Sequence, residues 1–232
     1  MHPTAVPQPY AATVRTTPSR KPGRVSYDEA AVHAVLDEAL VSHVGFVVDG
    51  RPVVLPHLHA RVGRVLYLHG STGARAFLDA RLDGLDVCVT TTLLDGLVLA
   101  RSALSHSMNY RCVVAHGRAL VVDDPAEKEV ALAALVDAVA TDRAASCRPP
   151  DGKELAATAV LRLDLAEVSV KTRDAPPNDD PEDLTLPYWA GVLPLRTVAD
   201  EPVPAPGLRG GVGVPEHVRD WSRPRRPVGG AG

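Results

Sequence analysis

The stretch V-G-F-V-V-D-G-R-P-V-V-L, residues 44–55, indicates the fold class because it contains two β-rich runs joined by a tight turn. Valine and phenylalanine dominate the runs. The pair Asp49-Gly50 between them is typical of a type I′ turn, in which both central residues have positive φ angles. The stretch therefore predicts an antiparallel β-hairpin near the start of the folded region.

More strands are expected after this hairpin. A second hairpin is predicted through residues 61–64, and an apolar strand follows as far as Gly70; with Val62-Gly63 as a two-residue turn, Arg61 would pair with Arg64. Three further segments are rich in β-forming residues and are each expected to form one strand. These are residues 86–100, 112–122 and 158–170.

Short helices are expected between the strands. Ser26 and Glu29 have the spacing of a capping box ahead of an apolar helical repeat, and Asp124-Pro125 is a typical helix start. A third helix is predicted over residues 73–82. Consecutive hairpins with short helices favour an antiparallel barrel over parallel crossovers, so we predict an α+β fold.

Composition limits the partners. The chain of 232 residues has a formal net charge of -3, which gives no general attraction to nucleic acid or to anionic membranes. No apolar run approaches the roughly 20 residues that span a bilayer. We therefore expect a cytoplasmic protein with neither nucleic-acid nor membrane partners. Three widely spaced cysteines without a C-x-x-C motif predict neither a disulfide framework nor a zinc site.

The two ends of the chain differ from its middle. Residues 1–24 are rich in Pro, Thr and Arg, and residues 200–232 are rich in Pro, Gly and Arg. Both are predicted to be disordered or draped over the surface. One folded domain is expected over residues 25–199.

A small-residue corner follows the apolar strand, with the sequence Gly70-Ser71-Thr72-Gly73-Ala74-Arg75. An arginine in the first turn of a helix is electrostatically disfavoured, but an anion bound at the corner would reverse that effect. The corner therefore suggests a phosphate site. The alternative, a helix start whose Arg75 points to solvent, stays open. The corner matches neither a Walker loop, a G-x-G-x-x-G motif nor the G-x-S-x-G elbow of hydrolases.

Three histidines on the second hairpin are candidate metal ligands. His57 and His59 share one face of their strand, but the predicted register places His69 opposite Pro56, on the other face. No metal site is therefore expected unless the turn is longer. The dense polar stretch of residues 101–111 is open to two interpretations, an exposed loop or a surface that meets a ligand or a second subunit.

Seven motifs, each unspecific alone, are specific in combination. They are RPVVLP (51–56), LYLHGS (66–71), DGLVLARS (95–102), NYR (109–111), GRA (117–119), KTR (171–173) and YWAGVLPL (188–195). With this combination residues 26–196 resemble the flavin-nucleotide-binding branch of the pyridoxamine 5′-phosphate oxidase-like proteins, the branch related to the Nim nitroimidazole-resistance reductases.

The resemblance implies an FMN-binding split β-barrel that forms a homodimer and holds FMN between its subunits. The phosphate would lie at His69-Gly70-Ser71 and Arg75. The full set of residues implied to bind the cofactor is Val54, Pro56, His69, Gly70, Ser71, Arg75, Asn109, Tyr110, Arg111, Lys171 and Trp189. Ala74 and Cys112 depart from the family pattern, in which serine is common at both positions.

The resemblance also implies an oxidoreductase acting on a small-molecule substrate. Reduced FMN would reduce small acceptors such as nitro compounds, with His69 or Tyr110 as the proton donor. Two alternatives stay open. Relatives with this barrel hold haem, for which His57, His59, His69 and His106 are candidate axial ligands, and the protein could instead be a non-catalytic flavin carrier.

Overall fold

The computed structural model describes residues 8–74, 78, 80, 81 and 83–222. In this part of the chain the strands are β1 (Val25–Ser26), β2 (Val41–Val48), β3 (Arg51–Val62), β4 (Val65–Ser71), β5 (Leu85–Leu99), β6 (Ser107–Val121), β7 (Thr158–Asp164), β8 (Glu167–Arg173) and β9 (Gly191–Pro194). The helices are α1 (Glu29–Glu38), α2 (Pro125–Asp137), α3 (Gly152–Ala157) and α4 (Glu216–Arg219).

The strands form a closed antiparallel barrel. Six of them follow one another around the ring in the order β2-β3-β4-β7-β6-β5, and β5 pairs again with β2. Strand β3 is long enough to pair with β2 over residues 51–58 and with β4 over residues 59–62. Strands β8 and β9 extend the sheet outside the ring, beside β6 and β5. This architecture confirms the predicted α+β split barrel.

The first hairpin is confirmed, whereas the register predicted for the second is wrong. Asp49 and Gly50 have φ angles of 49° and 73°, as a type I′ turn requires. In the second hairpin Val62 pairs with Val65, so the turn is Gly63-Arg64 and not Val62-Gly63. A β-branched valine is better placed in a strand than in a turn, which explains the shift.

The shift changes the residue opposite one of the histidines. His59 pairs with Leu68 and not with Leu66. Both side chains are almost fully buried, so they point into the barrel. His69, the next residue after Leu68, therefore lies on the outer surface.

Two other segments differ from prediction. Residues 158–170 form two strands, because the chain turns at Leu165-Ala166 and the Leu165 N–H donates to the carbonyl of Arg64. The polar stretch 101–111 is a loop only in its first half. From Ser107 onward it belongs to β6, so the side chains of residues 107–111 occupy fixed strand positions.

The helix starts are partly as predicted. Asp124 caps α2 and accepts a hydrogen bond from the N–H of Glu127, as expected. The cap of α1 is Asp28 and not Ser26, whose hydroxyl instead accepts from the N–H of Asp28. The helix predicted over residues 73–82 lies partly outside the described residues, although its described members from Leu78 onward are helical.

The core fills the barrel and continues under α1. Val32, Val35 and Leu36 of α1 are at most 2% exposed and belong to the same cluster as the inward-facing strand residues. Tyr10 joins this cluster at 5% exposure, which shows that the segment before β1 packs on the barrel. Helix α2 covers the outside of β4 and β7 in a smaller cluster with Tyr67. No helix among the described residues has the length and apolar character needed to cross a membrane.

Candidate functional site

The outer surface of the barrel carries several of the predicted site residues. Val44 of β2 and Val89 of β5 are buried, so the residues beside them in sequence point outward. One row of paired residues crosses this outer face from β3 to β8. It consists of Pro56, His43, Thr90, Val114 and Ser169.

Val54, Pro56, Tyr110 and Lys171 share this outer face. Val54 is 62% exposed, two positions from Pro56 on β3. Lys171 on β8 is paired with Cys112, and Tyr110 lies two residues before Cys112 on β6. The structure therefore places apolar side chains at one side of the face and a phenol and an ammonium group at the other.

The guanidinium of Arg111 forms its hydrogen bonds within the chain. It donates hydrogen bonds to both carboxylate oxygens of Asp95 and to both of Glu38, on the last turn of α1. These bonds, first those to Asp95 and then those to Glu38, raise the pKa of Arg111. These four hydrogen bonds occupy most of the N–H donors of the guanidinium. The cofactor-binding role of Arg111 stays a prediction.

Asn109 is also held within the chain. It is 4% exposed, and its side-chain oxygen accepts from the guanidinium of Arg173 and, at 3.2 Å, from the N–H of Ala175. Two polar side chains at this end of β6, Asn109 and Arg111, therefore find partners within the chain, a third possibility besides the exposed loop and the ligand surface.

His69 lies at a fork between two strands. The pairing of β3 with β4 begins at His59 and Leu68, and the preceding part of β3, up to Leu58, pairs with β2. The Nδ1 atom of His69 is buried and has no hydrogen-bond partner among the described residues. His57, across the fork, is half-buried, and this burial lowers its pKa although a hydrogen bond to the backbone of His69 opposes the effect.

The other two candidate haem ligands differ from His69. His59 is 1% exposed, and its Nε2 lies 2.9 Å from the carbonyl oxygen of Leu36. Burial lowers the pKa of His59, so the ring is neutral. His106 is exposed on a short turn, with Nδ1 3.0 Å from the carbonyl oxygen of Ser102.

The small-residue corner uses its own N–H groups within the turn. Gly73 donates to the hydroxyl of Ser71 at 3.3 Å, and Ala74 donates to the carbonyl of Ser71 at 3.0 Å. The N–H of Thr72 donates to the carbonyl of Ala157, just before β7. Arg75 lies outside the described residues. The phosphate site at Gly70, Ser71 and Arg75 therefore stays a prediction.

Trp189 lies on the segment that leads into β9. It is 68% exposed, and its ring passes over Gly191, where a Cβ atom would lie only 2.8 Å from the ring carbon Cζ2. The same segment is anchored by Asp179, which accepts hydrogen bonds from the backbone and the guanidinium of Arg101, each at 2.8 Å. Trp189 is thus held at the surface with its ring available to a ligand.

Sequence reasoning missed the residues that organise the site from within. Glu38 and Asp179 are not named by the sequence analysis, and Asp95, Arg101 and Arg173 enter it only as members of the family motifs, although all five contact or neighbour the predicted site residues. No local pattern marks them, because their partners are 16–78 residues away in sequence.

The comparisons with known proteins agree with this architecture. The sequence model of the pyridoxamine 5′-phosphate oxidase family matches residues 28–172, well over half of the chain. No curated protein sequence matches. The flavocytochrome Anf3 from Azotobacter vinelandii is 40% identical, with 90% of this chain and 97% of that one covered and a TM-score of 0.83.

Two other solved structures extend this result. The FAD and haem binding protein from Mycobacterium smegmatis is 35% identical over 86% of this chain and 98% of its own, with a TM-score of 0.81. A putative 5-nitroimidazole antibiotic resistance protein from Bacteroides thetaiotaomicron shares the fold at 21% identity, over 64% of this chain and 86% of its own, with a TM-score of 0.54. The chain belongs to the pyridoxamine 5′-phosphate oxidase family.

Proposed function

We propose that this protein binds both a flavin and a haem and transfers electrons to a small-molecule acceptor. The observation that carries the proposal is the similarity, along most of the chain, to a flavocytochrome and to a protein that binds FAD and haem. The proposal replaces FMN by FAD as the expected flavin and combines it with haem, the alternative cofactor considered from the sequence.

His69 fits the haem ligand best among the four candidate histidines. It lies on the outer surface at the fork between β3 and β4, and the buried Nδ1 atom without a partner is the kind of unsatisfied group that ligand binding reorganises. The Nδ1 atom of His59 is also buried without a partner among the described residues, but its ring is enclosed in the core and its Nε2 is already bonded to the carbonyl of Leu36. A neutral imidazole is a common axial ligand of haem iron.

The outer face fits a flavin. An isoalloxazine ring needs apolar surfaces on its faces and a positive charge near its polar edge. Val54 and Pro56 supply exposed apolar contacts, Lys171 supplies the charge, and the exposed ring of Trp189 is available for stacking. When bound, flavin and haem supply the redox chemistry, and the protein positions them and adjusts their electronic properties.

The proposal separates the roles of the two residues predicted to donate protons. A histidine that binds iron cannot serve as a proton donor, so His69 becomes a ligand. Tyr110 keeps the proton-donor role, because its hydroxyl belongs to the outer face. Nitro compounds stay predicted acceptors from the sequence alone, and the distant nitroimidazole-resistance relative supports only the fold.

A homodimer is part of the proposal. Val41, Val47, Val54 and Leu94 all belong to the outer face and are 44–62% exposed. Contiguous exposed apolar residues on one sheet face are typical of a surface that meets another protein. A second copy seated there would enclose the cofactor positions between the subunits.

Absorption spectroscopy of the purified protein, supplied with haem and FAD, tests the proposal. Wild type is expected to show a Soret band and flavin bands together. His69→Ala should lose the Soret band and keep the flavin bands, whereas the control variant His106→Ala should keep both. A wild-type protein without a Soret band would refute the haem half of the proposal. Loss of the Soret band in His106→Ala alone would refute the ligand assignment.

A further inference from the structure

The α2 side of the barrel carries a cleft. It has a volume of about 320 Å³ and lies between the start of α2, the end of α3 and the start of β7. We refer to it as the α2–α3 cleft. Its lining consists of Arg81, Val121, Val122, Asp123, Pro125, Lys128, Glu129, Leu155, Ala156, Thr158 and Ala159.

The α2–α3 cleft lies directly beside the small-residue corner. Thr158, which lines the cleft, is the strand partner of Ser71 at the end of β4. The N–H of the next residue, Thr72, donates to the carbonyl of Ala157 at 3.1 Å. A cofactor whose phosphate reaches the corner would therefore have the cleft as its nearest continuation.

The charges around the cleft suit a ligand with both anionic and hydrogen-donating groups. Arg81 and Lys128 provide cations, and Asp123 and Glu129 provide carboxylates. The ammonium of Lys128 donates one hydrogen bond among the described residues, to the carbonyl of Leu155 at 2.6 Å. An ammonium has three donors, so this lysine can also bind a phosphate.

The apolar lining adds a surface for a ring. Val122, Pro125 and Leu155 lie in the same cleft as the charged groups. A nucleotide presents a phosphate to cations, ribose hydroxyls to carboxylates and a flat base to apolar side chains. The volume is at the lower end of the range of about 300–1,000 Å³ for ligand sites, which fits half of a dinucleotide and not the whole.

We propose that the α2–α3 cleft binds the adenosine 5′-phosphate half of FAD and thereby makes the protein prefer FAD over FMN. This inference rests on the proposed flavin-binding function, and it adds the part of the chain that distinguishes the two flavins. The riboflavin phosphate would remain on the side of the corner, and the adenylate would extend from it into the cleft.

A filling substitution tests the cleft with a matched control. Ala156 lines the cleft, whereas Ala133, exposed on α2, does not. Ala156→Trp is expected to weaken FAD binding at least tenfold and to leave FMN binding unchanged. Ala133→Trp should leave the affinity for both flavins as in wild type. The apoproteins are titrated with FAD and with FMN, and circular dichroism verifies that each variant is folded.

A charge substitution keeps the test informative if the tryptophan variant does not fold. Lys128→Ala removes a charge-assisted phosphate contact and should weaken FAD binding by roughly tenfold to a hundredfold, with FMN unaffected. Lys153→Ala, an exposed lysine on α3 that does not line the cleft, is its control. In wild type, excess 5′-AMP should compete with FAD and not with FMN.

The possible results distinguish failure of the cleft assignment from failure of the proposed flavin binding. A wild-type protein that binds neither flavin would overturn the proposed function itself. Wild-type FAD binding that Ala156→Trp and Lys128→Ala leave unchanged would overturn the cleft assignment alone. Equal losses of FAD and FMN affinity, or equal affinities of wild type for both flavins, would also overturn it, because the cleft would then not recognise the adenylate.

Discussion

Replacing Arg111 by methionine is expected to destabilise the protein even without a cofactor. The guanidinium is the shared partner of Glu38 and Asp95, and the three side chains are only 14%, 14% and 19% exposed. Methionine fills much of the same space and removes the charge. The two carboxylates would then lie close together, largely buried, without the cation that compensates them.

The size of the effect follows from the burial. Removing one partner of a buried ion pair costs about 3–5 kcal/mol, and the residual exposure of this cluster favours the lower end, about 3 kcal/mol. In a chain of this length that loss corresponds to a decrease in Tm of roughly 6–12 °C. The loss is expected in the apoprotein, where a residue that only binds cofactor would have no effect.

Urea and thermal unfolding of the apoprotein measure the effect. Arg148→Met is the control, because Arg148 pairs with Glu154 at the exposed surface, with 65% and 48% of these side chains accessible, and its loss should change stability little. Combining Arg111→Met with Glu38→Gln and Asp95→Asn should recover more than half of the loss, because the two side chains that lose this cation are then neutral. An unchanged apoprotein midpoint together with weaker flavin binding would refute this reasoning and support a cofactor role for Arg111.

Three further predictions address other parts of the structure. Burial lowers the pKa of His59 below the unfolded value of about 6.5, so its contribution to stability is present above that pH and is lost as the pH falls below it. Urea midpoints of wild type should therefore decrease below about pH 6.5, and His59→Gln should flatten that decrease; an identical slope in both proteins would contradict the assignment. Gly191→Ala should displace the ring of Trp189, because the new Cβ would lie 2.8 Å from it, and the tryptophan fluorescence should shift. Asp179→Ala should release the segment before β9 from Arg101, and limited proteolysis should then cut that segment faster than in wild type, whereas an unchanged cleavage pattern would argue against this anchor.

The strands could be predicted from the sequence because their signals are local. The pair Asp49-Gly50 and the β-rich runs beside it were sufficient for the first hairpin. The second hairpin shows the limit of this reasoning. Two possible turns one residue apart give pairings that differ by two residues, so each side chain stays on the same face and only its cross-strand partner changes. The preference of Val62 for a strand decided between them.

Helix caps show a similar limit. Ser26 and Asp28 are both good caps and lie two residues apart, so the sequence contained two possible starts for α1. The structure uses Asp28, because β1 pairs with β8 through Ser26 and keeps that residue in a strand. A tertiary contact more than 140 residues away along the chain thus selected between two local signals.

The candidate site was predictable only in part. The family resemblance identified Val54, Pro56 and Lys171, and the structure places all three on one outer face. The partners of Arg111 could not be inferred, because Glu38 is 73 residues away and no periodicity connects the two. Long-range ion pairs depend on how the strands and α1 pack together, and that packing is not visible in a local pattern.

Cofactor binding and association of two copies should be coupled if the proposed homodimer forms on the outer face. Val47 and Val54 are 60% and 62% exposed there, on the same face as the proposed flavin contacts, so one event would cover both the apolar residues and the cofactor. Whatever stabilises the dimer must then raise cofactor affinity, and the cofactor must stabilise the dimer by the same factor. Flavin affinity measured at increasing protein concentration should therefore rise until dimerisation is complete. Val54→Lys should weaken dimerisation and flavin binding together, and a constant affinity across the monomer–dimer transition would show that each subunit holds its cofactor alone.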